Sequence, residues 1–207
     1  MADYRLHAFY NSGNAFKVAM MLDLSGCTWE AVPVTPGGDA AHGPDWWARA
    51  NTFGEVPVLE TGGRFLSQSG VILHRLARDT GRFGPADDDE ADEIWRWILF
   101  DNHKFTGNFS MLRYLCGIEK TGETAVTAYL RARVRRAWGV VERHLQGRDF
   151  ILGSRPTIAD LSLAGYQFYT EPTGIDRAEE FPALDAWTRR VSALPRWRPP
   201  EAVLPRT

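Results

Sequence analysis

Three short stretches of this sequence hold residues whose type and spacing can do chemistry. Ser12 closes the turn Asn11-Ser12-Gly13-Asn14 and opens a helical run. The unsatisfied N–H groups of a helix start, joined by a hydroxyl, stabilise an anion placed there. A thiol bound at that point would lose its proton below the reference pKa of about 8.5, and the hydroxyl need only donate a hydrogen bond. A serine here is also the ordinary helix cap, so Ser12 alone decides nothing. Pro57 interrupts the strand-like run Val56-Pro57-Val58-Leu59, where a ladder hydrogen bond must be lost. A cis Val56-Pro57 bond is one solution; it turns the Val56 backbone groups outward, toward the backbone of an extended ligand. The plainer alternative is a proline starting a short edge strand. Gln68-Ser69 stands where a strand gives way to a helix, a place that favours a carboxylate. Ser69 adds a hydroxyl donor, and Gln68 can bind an ammonium or a carboxylate.

The elements that must position these residues follow from pattern. Residues 4 to 9 alternate as a strand, and a helix follows from Ser12 through Val18, Ala19 and Leu22 to a stop near Gly26. Thr28 to Val34 is a second strand, and a short helix opens at Pro44 after a Gly- and Pro-rich loop. Val56 to Leu59 and Arg64 to Leu66 form two strands joined by Gly62-Gly63, a hairpin signal. Ser69 is expected to cap a helix that carries Ile72, Leu73, Leu76 and Ala77 on one face and ends at Gly81. The order is βαβαββα. After an exposed connector at 82–90, no strand is predicted. Long helices cover 90 to 116 and 123 to 146, the second with Leu130, Val134, Trp138, Val141 and Leu145 on one stripe. Two shorter helices follow, one from Thr157 and one carrying Leu184, Trp187, Val191 and Leu194. The proline-rich tail after Pro195 is expected to be extended. The fold class is therefore α/β followed by all-α, with residues 1–81 as the first domain, 82–90 as linker and 91–207 as the second.

Composition narrows the function class. The 207 residues carry a net charge of −2, so no basic field holds a polyanion and nucleic acid is not an expected partner. With only two cysteines, Cys27 and Cys116, neither a disulfide scaffold nor a Cys/His metal site is expected. The opening Met1-Ala2-Asp3-Tyr4-Arg5 has no apolar leader run and no stretch reaches membrane-spanning length, which predicts a cytoplasmic protein.

Taken in order, these stretches resemble the glutathione transferase family. Ser12-Gly13-Asn14-Ala15-Phe16-Lys17-Val18 is similar to the active-site turn of its serine-type bacterial members. Gly54-Glu55-Val56-Pro57-Val58-Leu59 resembles the cis-proline segment, and Gln68-Ser69 the motif that grips the γ-glutamyl group. Phe150-Ile151-Leu152-Gly153 followed by Thr157-Ile158-Ala159-Asp160 resembles the capping-box helix of the second domain, with Asp160 structural. The resemblance implies a thioredoxin-like domain that holds glutathione and an all-helical domain that builds most of a pocket for hydrophobic cosubstrates. By position it implies Ser12 at the glutathione sulfur with Asn14 nearby, Val56 on the cysteinyl backbone, and Gln68 and Ser69 on the γ-glutamyl end. Tyr10, Phe105, Phe109 and Tyr166 would meet a small hydrophobic electrophile. It further implies a two-fold homodimer and no metal.

Two departures shape the expectation. Glu55 stands where relatives often carry Lys or Gln, and an acid there should repel the glycine carboxylate of glutathione, leaving His42 as a candidate cation. The turn also lacks a cysteine, and neither Cys27 nor Cys116 fits that role. The leading reading is conjugation, with the glutathione thiolate attacking an electrophilic carbon. The alternatives are a glutathione-dependent disulfide or peroxide reductase and a non-catalytic ligand-binding protein on the same fold.

Overall fold

The computed structural model describes residues 2–35 and 44–206. They fall into two compact units, one reaching from the start to Gly84 and regaining the chain at Leu194, the other spanning Pro85–Ala193.

The first unit is built on four strands: β1 (Tyr4–Ala8), β2 (Trp29–Pro33), β3 (Val58–Thr61) and β4 (Arg64–Ser67), in the spatial order β2-β1-β3-β4. β1 runs parallel to β2, whereas β3 is antiparallel to both β1 and β4. The helices are α1 (Gly13–Ser25), α2 (Pro44–Ala50) and α3 (Ser69–Thr80). α1 packs against α3 and is enclosed almost all round: Phe16, Val18, Ala19, Met21 and Leu22 have no exposed surface. It stops at Gly26, whose φ of 74° suits a residue without Cβ. Beside it the Arg196 guanidinium occupies the space a Cβ would need. α3 buries Ile72, Leu73, Leu76 and Ala77, the face expected from spacing, and ends at Gly81 with φ 66°. This is the thioredoxin-like arrangement.

The second unit is helical. α4 (Asp88–Phe100) opens under the Asp87 side chain, which accepts from the Glu90 N–H. The long helix predicted from 90 to 116 is broken twice. A π-helical turn, Asp101–Phe105, leads into α5 (Thr106–Arg113), and a second, Tyr114–Ile118, follows it. Gly107 answers the first turn, since a Cβ there would lie 2.7 Å from the Asn102 carbonyl oxygen. Buried Asp101 accepts hydrogen bonds from Thr106 and Ser162 across the turn. α6 (Ala125–His144) buries Val134, Trp138 and Val141 on the predicted stripe. Then come α7 (Ile158–Ala164), α8 (Arg177–Glu180), which periodicity does not foresee, and α9 (Pro182–Ser192).

The first turn of α7 holds a carboxylate with no exposed surface. Asp160 Oδ1 accepts from the Ile151 N–H at 2.8 Å and from Trp187 Nε1 at 2.9 Å, while Oδ2 accepts from the Thr157 N–H at 2.9 Å. Burial pushes its pKa up, against these hydrogen bonds, which lower it. The reciprocal cap with Thr157 is present, and Asp160 ties three segments together.

The tail differs from expectation. It is not extended throughout, for Pro200–Val203 form a short helix, α10, with Pro at its first turn, where the missing N–H costs nothing. Nor does it belong with the helical unit. Arg198 forks onto Asp23 at 2.9 and 2.6 Å, Trp197 meets Phe16 edge-on at 6.4 Å, and the Tyr10 N–H donates to the Pro205 carbonyl at 2.8 Å. The Asp23 carboxylate also accepts from Trp29 Nε1. Asp23→Ala is therefore expected to cost about 1 kcal/mol, since the half-buried Trp29 indole N–H loses its acceptor and the exposed Arg198 its ion partner. Limited proteolysis should then cleave the tail faster; an unchanged cleavage rate would show that the tail is held by packing alone.

Candidate functional site

The register of the sheet decides which residues can meet. Val58 pairs with His7 of β1 on one side and with Ser67 of β4 on the other. The C-terminal ends of β1 and β4 and the N-terminal end of β3 therefore share one edge of the sheet. Ser12 follows β1, Val56-Pro57 precedes β3 and Gln68-Ser69 follows β4. The three stretches are gathered in the first unit, with the proline segment in the middle.

Ser12 is the N-cap of α1, buried, with its Oγ accepting from the Ala15 N–H at 3.1 Å. Its hydroxyl hydrogen has no acceptor among the described residues. Asn14, in the first turn of α1, holds a buried Oδ1 that is likewise without a partner. Tyr10 is half-buried, and the Arg206 guanidinium lies 4.5 Å from its ring centroid.

The Val56-Pro57 bond is cis. Neither backbone polar group of Val56 takes part in the strand ladder or bonds another described residue. Sequence reasoning passes over the residue that steadies this loop. Buried Asn51 accepts the Phe53 N–H at 2.9 Å through Oδ1 and donates through Nδ2 to the Glu55 carbonyl. An Asn heading Thr52-Phe53-Gly54 is an Asx-turn signature, which could have marked it.

At the third stretch the structure corrects one expectation. Ser69 does not cap α3 but is its first residue; the cap position is Gln68, which makes no side-chain cap. The cause is backbone conformation. Gln68 has φ 69°, a region side chains rarely enter and which clusters at functional positions. Ser69 is buried, and its hydroxyl has no hydrogen-bond partner among the described residues. Gln68 is exposed, its Nε2 3.5 Å from Glu55 Oε2, so the acid reaches toward the α3 start.

The remaining candidates lie elsewhere. Phe105, Phe109 and Tyr166 belong to the second unit. Phe105 has no exposed surface and Phe109 little, both rings packing on Trp138, with Phe109 at 4.9 Å; they serve as core. Tyr166 is buried beside Tyr169 at 5.9 Å, and Tyr169 carries the Arg113 guanidinium 4.1 Å above its ring. Arg113 in turn forks onto Glu171. Burial pushes the Glu171 pKa up, but the Arg113 fork and a hydrogen bond from its own backbone N–H together outweigh that and lower it from its ordinary value. His42 lies outside the described residues. No group of three or more His, Cys, Asp or Glu among them could hold a metal ion. No helix among them is long and apolar enough to cross a membrane.

This geometry agrees with what the chain is similar to. Residues 6–83 match the family model "Glutathione S-transferase, N-terminal domain" and residues 119–190 the corresponding C-terminal domain. The chain belongs to the glutathione S-transferase family of enzymes. Glutathione S-transferase GST-4.5 of Xanthomonas campestris is 32% identical, over 72% of this chain and 75% of its own. A maleylacetoacetate isomerase of Rhizobium meliloti is 28% identical over 91% of both chains. Among solved structures, a glutathione S-transferase from Xanthobacter autotrophicus Py2 superposes with a TM-score of 0.86 at 31% identity, covering 98% of this chain and 97% of its own.

Proposed function

We propose that the protein conjugates glutathione to small electrophiles, with Ser12 donating a hydrogen bond to the glutathione thiolate. The observation that carries this reading is the Ser12 hydroxyl: buried at the start of a 13-residue helix, its lone pair engaged by Ala15 and its hydrogen without an acceptor among the described residues. Such a donor, with the helix N-terminus behind it, favours an anion over a neutral thiol. The spacing of the edge supports a tripeptide. Two strand separations of about 4.8 Å span roughly 10 Å from the β1 end to the β4 end, the reach of three extended residues. Val56 would pair with the middle residue, while Gln68, Ser69 and the α3 N-terminus would hold the γ-glutamyl carboxylate. Asn14 Oδ1 offers a buried acceptor for a ligand N–H. Rate gain would come from thiolate stabilisation and from holding both reactants together. A two-fold dimer in the cytoplasm remains part of this reading; sedimentation equilibrium giving a single 23.3 kDa species would remove the dimer.

The contact with Gln68 changes what Glu55 should do. Facing the γ-glutamyl end, its carboxylate would meet the ammonium of glutathione instead of the glycine carboxylate. Glu55→Gln is then expected to weaken glutathione binding about three- to tenfold in a calorimetric titration, the scale of one exposed charge pair. Tighter binding in that variant would return Glu55 to the glycine end.

A second reading is favoured by the isomerase similarity. The same thiolate can add to a conjugated carbon–carbon double bond, allow rotation about the resulting single bond, and be expelled again, so that glutathione is regenerated. Turnover of a cis-enone diacid without glutathione consumption would select it over conjugation.

A further inference from the structure

The turn that carries Ser12 also carries the end of the described chain. The Ser12 N–H donates to the Phe9 carbonyl at 3.1 Å, closing residues 9 to 12 as one turn with Tyr10 at a corner. The Tyr10 N–H, left over by that turn, donates to the Pro205 carbonyl at 2.8 Å. That carbonyl belongs to the peptide joining Pro205 to Arg206, and the Arg206 guanidinium lies 4.5 Å from the Tyr10 ring centroid. Building on the transferase reading above, we propose that Arg206 is a specificity-determining residue. It binds a carboxylate carried by the electrophile, so the preferred cosubstrates are anionic.

Arg206 is held where it stands by the residues before it. Val203 and Leu204 are buried, and the Leu204 N–H closes α10 on the Pro200 carbonyl at 2.9 Å. With the next carbonyl bonded to Tyr10, the guanidinium stays on the turn. Tyr10 and Ser12 are two residues apart, so their backbones are separated by about 7 Å at most. A carbon attacked by a sulfur at Ser12 therefore sits beside the same turn, and a charged substituent on it meets the nearest cation.

The guanidinium also has its bonding capacity to spare. Arg206 is exposed, and among the described residues no carboxylate pairs with its guanidinium and no group accepts a hydrogen bond from it. Arg198 of the same tail differs, being forked onto Asp23 at 2.9 and 2.6 Å. The face of a tyrosine ring attracts a guanidinium but supplies no lone pair, so the N–H donors remain for an anion. Their fork matches a carboxylate at two points, which a neutral amide cannot reproduce. An arginine that only fastened the tail to Tyr10 would give no preference between charged and neutral electrophiles.

The probes are 4-chloro-3-nitrobenzoate and its neutral counterpart 4-chloro-3-nitrobenzamide, assayed with glutathione on the full chain. With either, a sulfur–carbon bond forms at the carbon bearing chlorine, chloride leaves with the bonding pair, and the thiol proton passes to solvent. After division by the uncatalysed rates, kcat/KM is expected to favour the acid about tenfold, the scale of one charge-assisted hydrogen bond. Arg206→Gln should erase that preference, and Arg206→Lys should restore part of it. Calorimetric titration of the two S-conjugates reads the same preference without turnover. A preference in binding with no turnover would support Arg206 and remove conjugation. A parent chain that binds both conjugates alike would overturn the proposal alone; one that binds neither conjugate nor glutathione would overturn it together with the transferase reading. Equal losses for acid and amide in Arg206→Gln would make the residue a fastener of the tail. Weaker binding of glutathione itself in that variant would assign the guanidinium to the glycine carboxylate. Either of these last two results overturns the proposal.

Discussion

Replacing Ser12 with alanine is expected to slow glutathione conjugation about 100-fold, the scale set by removing one donor to a developing or resident anion. The loss should be accompanied by a shift in pH dependence. With the serine present, the bound thiol is expected to have a lowered pKa, so that kcat/KM for the electrophile at saturating glutathione rises and levels off at lower pH. Without it the thiol reverts toward its reference value of about 8.5, and the rising limb moves upward. Ser12 also caps α1, accepting from Ala15, so the variant loses about 1 kcal/mol of stability as well. Ser12→Thr separates the two roles, because it keeps a hydroxyl that can both cap and donate. Recovery of most of the rate and of the lower limb in the threonine variant is the expected result. An alanine variant with unchanged rate and pH profile would pass the assignment to Asn14 or to the backbone N–H groups.

The largest stability effect is expected at Asp160. Asp160→Ala strands the Ile151 and Thr157 N–H groups and the Trp187 indole N–H inside the helical unit. Each buried donor without a partner costs about 1–3 kcal/mol. A total of roughly 4 kcal/mol would lower the urea midpoint by about 2 M. Asp160→Asn keeps one acceptor oxygen and should fall between the two. Because burial raises the Asp160 pKa in the folded state, the folded chain holds that proton more firmly than the unfolded chain. The resulting stability is complete below the unfolded carboxyl value of about 3.9 and is lost as the pH rises through the folded value. The midpoint difference between parent and Asp160→Ala should shrink as the pH is raised. A loss under 1 kcal/mol would mean that the three donors find other acceptors.

What sequence could reveal depended on the range of the interaction. Ser12, Pro57 and the Gly26 and Gly81 stops were legible because each is a local event, decided by one residue and its neighbours. The Thr157/Asp160 cap was legible for the same reason. Long-range matters were not. Phe105 and Phe109 carry the periodicity of a pocket wall and of a core equally well, and only Trp138 packed against them decides for core. The first π-helical turn opens at Asp101, whose carboxylate is held by Ser162, 61 residues away, a partner that local periodicity does not disclose. The orientation of Glu55 depends on Gln68, and that residue's left-handed backbone is not a preference of glutamine. The tail reads as extended because prolines dominate its composition, while its path is set by Asp23 and Phe16 near the opposite terminus.

That path has a consequence for how the molecule comes into being. On a ribosome Asp23 emerges 175 residues before Arg198, so α1 must wait for the fork on Asp23 and the Trp197 edge on Phe16, with Trp29 on that carboxylate in the meantime. A piece cut at Gly84 would carry Ser12, Val56, Gln68 and Ser69 of the proposed site and still lack the clasp along α1. The sheet unit is thus finished only by residues synthesised after the whole helical unit.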